Sequence, residues 1–412
     1  MSNEILFISH RMPFPPDRGD KIRSHHVLKR LVALAPVHVA TFADDERDLA
    51  EEVELAAIAR SYRLVRRVKP LILAGLQSLA QRAPVSLPAF ANAELADYVE
   101  QVLRERPIAT IYAFSGQMGQ YIPDWFKGRV VFDFVDVDSA KFEAYADRDT
   151  GLRRWINARE ARLLQAEEER LARRAAVSLL VTPEETALFR ARLSPSAAVE
   201  CDVQTLKCGI DSKHFDRTMI RPEPRVAELP GPRLIYTGQM DYAPNVEACL
   251  RVIERLLPQI QETSPHASFH IVGRNPAEEL TARNGKGGVH VWGAVDDTRP
   301  WLAAADLALI PLDIARGIQT KVLEAMAMSL PVVLTSGAAT GIGASSDEHF
   351  LVGDSDAELI DRVTSLIAHP RQGLTIGRAA RQFMLDNLSW QACLAPLPGF
   401  LGIGEAQKRD AA

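Results

Sequence analysis

The sequence has few cysteines and no excess of basic residues. Four cysteines occur among 412 residues, and none forms a CxxC pair or stands with histidines at zinc-ligand spacing. We therefore expect reduced, partly buried thiols, as in a cytoplasmic protein. The net charge of −5 argues against a general affinity for nucleic acid.

The sequence also lacks the patterns that carry a protein into or across a membrane. No stretch reaches the roughly 18 uncharged apolar residues of a spanning helix, and the opening residues MSNEILFISH do not resemble a secretion signal. We therefore expect a cytoplasmic protein that touches a membrane, if at all, from its surface.

Two segments are candidates for such a peripheral contact with the inner face of a membrane. Residues 60–69 (RSYRLVRRVK) are strongly basic and could meet anionic lipid. Residues 152–174 form an arginine-rich helical pattern with a thin apolar stripe, which comprises Leu152, Trp155, Ile156, Leu163 and Leu171. A solvated surface helix is the competing interpretation of this second segment, because glutamates alternate with its arginines at helical spacing.

Short apolar segments rich in β-branched residues alternate with longer helical patterns along the whole chain. Strands that are apolar throughout, with helices between them, are typical of parallel sheets covered on both faces, and so of the α/β class. The predicted strands form two series, at 5–8, 37–42, 109–114, 130–135 and 177–181, and at 233–236, 268–272, 288–292, 307–310 and 331–334.

A proline-rich stretch separates the two series and indicates two domains. Pro222, Pro224, Pro230 and Pro232 follow one another with few apolar residues between them. We place the first domain at residues 1–210, a linker at 211–227 and the second domain at 228–385. A last helical segment, 386–412, is expected to pack back on the first domain.

The segment 317–333, GIQTKVLEAMAMSLPVV, carries the strongest functional signal. A helix that starts beside the carboxyl ends of parallel strands suits a phosphate, because its first amides and its dipole favour an anion. Gly317 precedes this helix, Lys321 can add a positive charge near a diphosphate, and Glu324 can accept the hydroxyl protons of a ribose. An ordinary crossover helix with a solvated lysine and glutamate is the competing interpretation.

This segment resembles the donor-binding segment of glycosyltransferase family 4, in which a Glu-x7-Glu pair runs into EAMAxGxPVV. Glu324 matches the second glutamate, which binds the ribose of the donor in that family. The first glutamate falls on Arg316 and the usual glycine on Ser329. The departure at Arg316 leaves the donor's sugar undefined.

Three further segments of the second half match the same family in order and spacing. Gly238 and Gln239 form a turn after a strand, and Gly273 and Arg274 end the next strand, so that all four could meet the donor phosphates. The third segment, Trp292–Asp306, resembles the part of the family that contacts the nucleotide base. For Gly238, a plain strand-to-helix turn is the competing interpretation.

The first half offers two candidate regions for the acceptor. The loop 9–21, SHRMPFPPDRGDK, leads into a helix expected near Ile22, and its Gly19, Asp20 and Lys21 could hold a phosphate or the acceptor, or simply cap that helix. His10 follows the first predicted strand and is a candidate catalytic residue.

The second region is FDFVDVDS, residues 132–139. Asp136 and Asp138 follow a buried strand and are candidates for acceptor binding or for taking the proton of the acceptor hydroxyl. Together with Asp133 they could instead hold a divalent metal. We expect no metal and no bound cofactor, because the glycosyltransferases that this chain resembles generally need neither.

The whole chain is similar to one group within family 4, the sugar transferases associated with exosortase A (PEP-CTERM) exopolysaccharide systems. The motifs that carry the resemblance are PPDRGDKIRSHH, DFVDVDS, TGxMDYxPN and GIQxKVLEAMA. It implies the GT-B fold, in which two Rossmann-like domains face each other across a cleft, the second holding the nucleotide-sugar and the first the acceptor.

The resemblance further implies a hexosyltransferase that retains anomeric configuration. The donor would be a UDP- or GDP-sugar and the acceptor a glycan or lipid-linked glycan. Two alternatives stay open: an epimerase of the same fold that acts on the nucleotide-sugar itself, and a non-catalytic nucleotide-sugar-binding partner of a polysaccharide assembly complex. An NAD-dependent enzyme is disfavoured, because no strand runs into a G-x-G-x-x-G turn with a suitably spaced acidic residue.

Overall fold

The computed structural model describes residues 3–313 and 318–403, which fold into two compact units. The first unit comprises the residues up to Cys208 together with the C-terminal residues from Cys393 onward, and the second comprises Gly209–Ala392. Each unit is built around one parallel sheet.

The sheet of the first unit has seven strands in the order β3-β2-β1-β4-β5-β6-β7, all parallel to their neighbours. Every residue of β1 and β2 is buried, as expected for apolar strands with helices on both faces. The strands are β1 Glu4–Ser9, β2 Val37–Ala43, β3 Ser61–Arg66, β4 Ile108–Phe114, β5 Arg129–Val135, β6 Val177–Leu180 and β7 Val203–Thr205.

The helices that cover this sheet vary from one turn to more than six turns. The longest, α8, packs along α7 as a hairpin. They are α1 Gly19–Val32, α2 Glu46–Ala50, α3 Glu52–Ile58, α4 Leu71–Gln81, α5 Ser86–Ala89, α6 Ala93–Glu105, α7 Asp138–Arg148, α8 Gly151–Arg174, α9 Pro183–Arg192 and α10 Pro195–Glu200, with a 3₁₀ turn at Gly116–Tyr121.

The second unit repeats the same topology with six parallel strands in the order β10-β9-β8-β11-β12-β13. In both sheets the first strand lies centrally, and the strand order reverses beside it. The strands are β8 Arg233–Thr237, β9 Ser268–Val272, β10 Val289–Gly293, β11 Leu307–Ile310, β12 Val332–Leu334 and β13 Leu351–Val352.

The helices of this unit follow the strands in regular alternation. They are α11 Pro224–Ala227, α12 Ala243–Arg251, α13 Leu257–Thr263, α14 Glu278–Thr281, α15 Arg299–Ala304, α16 Thr320–Ala327, α17 Ser336–Ala339, α18 Asp356–Ala368 and α19 Pro370–Phe383. Two short helices follow, α20 (Trp390–Cys393) and, in the first unit, α21 (Leu397–Phe400); π-helical turns lie at Val252–Leu256 and Met384–Leu388.

Residues 211–227, which we expected to form a linker, are part of the second unit. The guanidinium of Arg217 donates to the carbonyls of Ala303 and Ala305, and the Glu223 amide donates to the carbonyl of Pro300. Near the C-terminal end of the described residues, the carbonyl of Phe400 accepts a hydrogen bond from Arg129 over 2.7 Å. This bond ties α21 to the rest of the first unit.

The two segments considered for membrane contact are an edge strand and a partly buried helix of the first unit. Residues 61–66 form the edge strand β3, whose Arg63 and Arg66 pair with Glu94 and Glu46. Of the apolar stripe predicted in α8, Leu152, Trp155 and Ile156 are exposed, Leu163 is half-buried and Leu171 is buried. Leu164 and two glutamates, Glu160 and Glu168, are buried on the same helix. None of the described helices is both long enough and apolar enough to cross a membrane.

Candidate functional site

A cavity of about 650 Å³ opens in the second unit beside the carboxyl ends of β8 and β9 and the start of α16. β8 and β11 are neighbours at the point where the strand order reverses, which is where open α/β sheets bind ligands. Six of the predicted donor residues line this one cavity: Gly238, Gln239, Gly273, Arg274, Lys321 and Glu324. Gly317 and Arg316 lie outside the described residues.

The two glycines let the turns after β8 and β9 pack against each other. A Cβ atom on Gly273 would lie 1.6 Å from the carbonyl oxygen of Gly238. The amide of Gly238 donates to Val272 over 3.1 Å, and that of Gly273 donates to Gly293 over 2.8 Å. Both amides are thus used inside the protein, and the glycines contribute space to the cavity rather than hydrogen-bond donors.

Lys321 is held at the cavity by a small network of polar groups. Its ammonium donates to Oδ1 of Asn245 over 2.9 Å and lies 5.1 Å from the centre of the Tyr236 ring. The Tyr236 hydroxyl donates to the same Asn245 oxygen over 2.7 Å, and Nδ2 of Asn245 donates to the carbonyl of Gln239. Burial lowers the pKa of Lys321, against the opposing effect of Glu324.

Glu324 lies one turn after Lys321 on α16 and also faces the cavity. Burial raises the pKa of its carboxyl to about 7, and the charge of Lys321 opposes this rise only in part. A half-buried carboxylate that titrates near neutral pH is typical of functional sites. It can accept hydroxyl protons in its ionised form.

The remaining donor candidates are more exposed. Arg274 donates to the side-chain oxygen of Gln239 over 3.0 Å, so the two side chains stand together at the cavity rim. Of the segment expected to contact the base, Val295 and Thr298 line the cavity, whereas the Trp292 indole donates to Nδ1 of His270.

In the first unit, Asp136 and Asp138 follow β5 and lie at the start of α7. Val135 has φ +70° and Ser115, after β4, has φ +76°, conformations that are costly for residues other than glycine. The Ser115 amide donates to the carbonyl of Asp133, so the two strained positions are neighbours. Backbone strain of this kind is concentrated at functional sites.

Burial and neighbouring charges shift the pKa of Asp138. Partial burial raises the pKa of Asp138, with Asp136 adding to the rise and Lys141 and His10 opposing it. The Asp138 side chain is still 40% exposed and lies 3.6 Å from Lys141. The carboxylate is therefore open to a ligand.

The sequence did not single out Glu168, which is buried beside this pair. Its carboxylate accepts from the amide and the hydroxyl of Ser139, over 2.9 and 2.5 Å, and so caps α7. Burial raises the pKa of Glu168 to about 7 despite these bonds. Glu160, Leu164, Glu168 and Leu171 follow each other at three- and four-residue spacing, and this unused periodicity is the sequence signal that points both glutamates to the buried face.

His10 lies at the end of β1 and contacts the loop that leads into α1. Its Nε2 is 3.3 Å from Asp20, whose carboxylate also accepts from Arg11. Burial alone would raise the pKa of Asp20, but these hydrogen bonds hold it well below its usual range. Nδ1 of His10 is buried and has no hydrogen-bond partner among the described residues.

Of the other loop residues, Gly19 faces open space and Lys21 lies in the interior. Gly19 begins α1, three residues before the predicted start, and a Cβ atom there would meet nothing within 4 Å. Lys21 is buried and pairs with Asp48 over 2.7 Å, so its ammonium holds the loop in place and is not offered to a phosphate.

Asp133, the third carboxylate of FDFVDVDS, is fully buried. It accepts two hydrogen bonds from Arg23 and one from the hydroxyl of Tyr112, over 2.6 Å. These bonds hold its carboxylate in the interior. Among the described residues, no group of three or more histidine, cysteine or acidic side chains is arranged to hold a metal ion.

A protein-family model matches part of the second unit. Residues 231–369, about a third of the chain, match the family model described as glycosyl transferases group 1. No curated protein sequence matches the chain.

Solved structures resemble the chain over nearly its full length. Sucrose-phosphate synthase from Thermosynechococcus elongatus is 16% identical, with a TM-score of 0.58 and all of both chains covered. HepE from Anabaena, in complex with UDP, is 15% identical, with a TM-score of 0.59 and 97% of this chain and 99% of that chain covered. WaaG, a glycosyltransferase of lipopolysaccharide biosynthesis, is 17% identical, with a TM-score of 0.55 and the same coverage. The chain therefore has the two-domain GT-B fold, and the part of it that matches the glycosyl transferases group 1 model lies in the second unit.

Proposed function

We propose that the protein is a glycosyltransferase that takes a sugar from a nucleotide-sugar held in the cavity of the second unit. The observation that carries the proposal is the convergence of Lys321, Glu324 and Arg274 on one 650 Å³ cavity at the reversal point of the sheet. The two cations suit the diphosphate of a nucleoside diphosphate, and the carboxylate suits its ribose hydroxyls. The group 1 family match of the same residues supports this assignment.

Each residue has a distinct role in the proposed site. The carboxylate of Glu324 accepts the ribose hydroxyls. Lys321 and Arg274 offset the diphosphate charge, which grows on the leaving group in the transition state. Gln239 orients Arg274, and Gly238 and Gly273 leave room for the phosphates; Gly317 is expected to do the same at the start of α16.

The acceptor is assigned to the first unit. Asp138 and Asp136 bind the acceptor hydroxyl or take its proton, with His10 and Asp20 beside them and Gly19 open to the ligand. We place Lys21 behind this site as a residue that positions the loop, because Asp48 already neutralises its ammonium.

The finer points rest on the resemblance to family 4 and its exosortase A-associated group. They are transfer of a hexose with retention, a glycan or lipid-linked glycan acceptor, and a place in exopolysaccharide synthesis on the cytoplasmic side of the inner membrane. UDP-sugars are the first donors to test, because HepE has been solved with UDP and with UDP-glucose.

The test is ligand-induced thermal stabilisation by UDP-, GDP-, ADP- and dTDP-sugars. A ligand that binds only the folded state raises its melting temperature. We expect stabilisation by one nucleotide family, strong loss in Glu324→Ala, and wild-type behaviour in Glu247→Ala, which removes an exposed glutamate of α12. Equal stabilisation of Glu324→Ala and wild type would refute the assignment of this cavity.

Product analysis then separates the transferase from its two alternatives. Incubation of the bound nucleotide-sugar without acceptor should give slow hydrolysis and free nucleotide. An epimerised nucleotide-sugar would identify an epimerase, and an unchanged donor, with and without glycan or lipid extracts, would identify a binding partner.

A further inference from the structure

The outer face of α4 consists of large apolar side chains. Ile72, Leu76 and Leu79 recur at four- and three-residue spacing and are 81%, 62% and 53% exposed, with Leu73 beside them. The inner face carries the small residues Ala74 and Ser78, both fully buried. This helix therefore has its apolar stripe directed to solvent, the reverse of what a surface helix of a globular protein shows.

Helix α8 is hydrogen-bonded to α4 on the side of α8 that carries its exposed apolar residues. The guanidinium of Arg159 donates to Oγ and to the carbonyl of Ser78, and the Glu160 carboxylate accepts from the amide of Val85. Leu152, Trp155 and Ile156 precede Arg159 by seven, four and three residues and so lie on the same side of α8. We call the combined surface the apolar patch; it comprises Ile72, Leu73, Leu76, Leu79, Leu152, Trp155 and Ile156.

The charges around the apolar patch are basic. Residues 67–90 contain three basic and no acidic residues, and residues 150–159 contain three more, again without an acidic residue. Arg82, Arg153 and Arg154 are exposed and form no ion pair within the described part of the chain. Two acidic residues lie near the start of α8: Asp147 is exposed in the last turn of α7, and Asp149 is half-buried and accepts from Asn157.

This arrangement identifies the occupant by its chemistry. An anionic lipid surface offers acyl chains to the leucines and isoleucines, headgroup phosphates to the three arginines, and an interface at which an indole such as that of Trp155 is stable. A second copy of the same surface would bring the unpaired arginines of both copies together, and like charges at an interface are unfavourable.

The apolar patch also lies beside the proposed acceptor residues. The four residues 82–85 connect α4 to α5, whose Ser86 and Leu87 line a narrow cleft with Asp136, Asp138 and Glu168. We propose that the apolar patch docks the first unit on an anionic lipid bilayer and so holds the opening near Asp138 at the height of a lipid headgroup. Only the link to the acceptor rests on the proposed function; docking itself does not.

The experiment is flotation of the full chain with vesicles of phosphatidylcholine alone or mixed with phosphatidylglycerol, without nucleotide. We expect binding to the mixed vesicles that falls with added salt. The double variant Ile72→Ser/Leu76→Ser and the double variant Arg153→Ala/Arg154→Ala should each bind about tenfold more weakly. Val199→Ser, which alters an equally exposed apolar residue of α10, should bind like the wild type.

Trp155 gives a second readout inside the patch. Its fluorescence should shift to the blue on vesicle binding and be quenched by lipids brominated in the acyl chains, and Trp155→Phe should lose this signal.

Three outcomes would overturn the proposal: no binding to the mixed vesicles, equal loss in Val199→Ser, or a wild-type dimer in sedimentation velocity that Ile72→Ser/Leu76→Ser dissociates. Nucleotide-sugar binding is measured without lipid, so failure of the donor site and failure of the docking surface are distinguishable.

Discussion

The ammonium of Lys321 donates to Oδ1 of Asn245 over 2.9 Å, and the Tyr236 hydroxyl donates to the same oxygen over 2.7 Å. Asn245 is buried, and its Nδ2 donates to the carbonyl of Gln239, so the orientation of the amide is fixed. A strand residue, Tyr236, thus positions a cation on α16 through a residue of α12. The cation keeps its place at the cavity before any ligand arrives.

We expect Asn245→Ala to weaken nucleotide-sugar binding about tenfold, because Lys321 loses the oxygen that orients it and a buried hydroxyl loses its acceptor. Tyr236→Phe should have a smaller effect in the same direction, since it removes one donor and keeps the ring beneath the ammonium. Isothermal titration with the nucleotide-sugar measures both.

The matched control is Asn275→Ala. Asn275 bonds to Asp241 near the cavity but does not line it, and its replacement should leave donor affinity unchanged. Equal weakening by Asn275→Ala would mean that the loss comes from general loosening of the unit rather than from Lys321.

Donor affinity should depend on pH through Glu324. The carboxyl has a pKa of about 7 in the folded protein because it is buried, and only its ionised form can accept both ribose hydroxyls. The affinity is therefore present above that pKa and is lost as the pH falls through it, by about tenfold between pH 8 and pH 6. The diphosphate diester of a nucleotide-sugar does not titrate in this range.

Titration calorimetry at several pH values checks this expectation. No histidine is among the described residues that line the cavity, so Glu324→Gln should bind more weakly and with a flat profile over the same range. A slope that persists in Glu324→Gln would assign the titration to another group.

The central strands and the two α/β domains could be predicted because the strand residues are apolar throughout and occur at regular intervals, whereas the GT-B fold was implied by the resemblance to glycosyltransferase family 4. Three strands were missed. β3 alternates arginine with tyrosine, leucine and valine at a sheet edge, and β7 and β13 have only three and two residues. Strands this short or this polar form because neighbouring strands of the sheet pair with them. The sequence alone therefore gives only a weak signal for them.

The candidate site was predictable where the residues bear a recognisable pattern, as at Glu324 and Gly273. The site was not predictable where a charged side chain is neutralised by a residue far away in the sequence. Lys21 and Asp48 are 27 residues apart, and Arg23 and Asp133 are 110 apart. Nothing local in the sequence distinguishes Lys21, which pairs in the interior, from a lysine offered to a ligand. The catalytic roles of Asp136, Asp138 and His10 stay predictions.

The Arg23–Asp133 pair should be essential for the stability of the first unit. Both side chains are fully buried, and Arg23 also donates to the carbonyl of Leu206. Removal of one partner leaves the other charge buried and unpaired, which costs about 3–5 kcal/mol. Asp133→Ala should therefore lower the free energy of unfolding by this amount, as measured by urea denaturation.

An exposed pair of the same unit serves as the comparison. Arg66 and Glu46 are 2.7 Å apart, with both side chains more than half exposed, and Glu46→Ala should change the free energy of unfolding by less than about 1 kcal/mol. If Asp133→Ala lowered the free energy of unfolding as little as Glu46→Ala does, the Arg23–Asp133 pair would not stabilise β5.

Gly273→Ala tests the contact between the two turns that shape the donor cavity. The added Cβ atom would lie 1.6 Å from the carbonyl oxygen of Gly238, so β9 and β8 must separate at their carboxyl ends. We expect a loss of stability of about 1–3 kcal/mol or more, together with weaker donor binding because Lys321 and Arg274 move apart.

Gly337→Ala is the control, since its Cβ atom would meet its nearest neighbours at 3.6 and 3.7 Å. Thermal unfolding of the two variants, with and without nucleotide-sugar, separates the effects: a Gly273→Ala protein as stable as Gly337→Ala would show that the turns can part without cost, and the cavity would then owe nothing to this glycine.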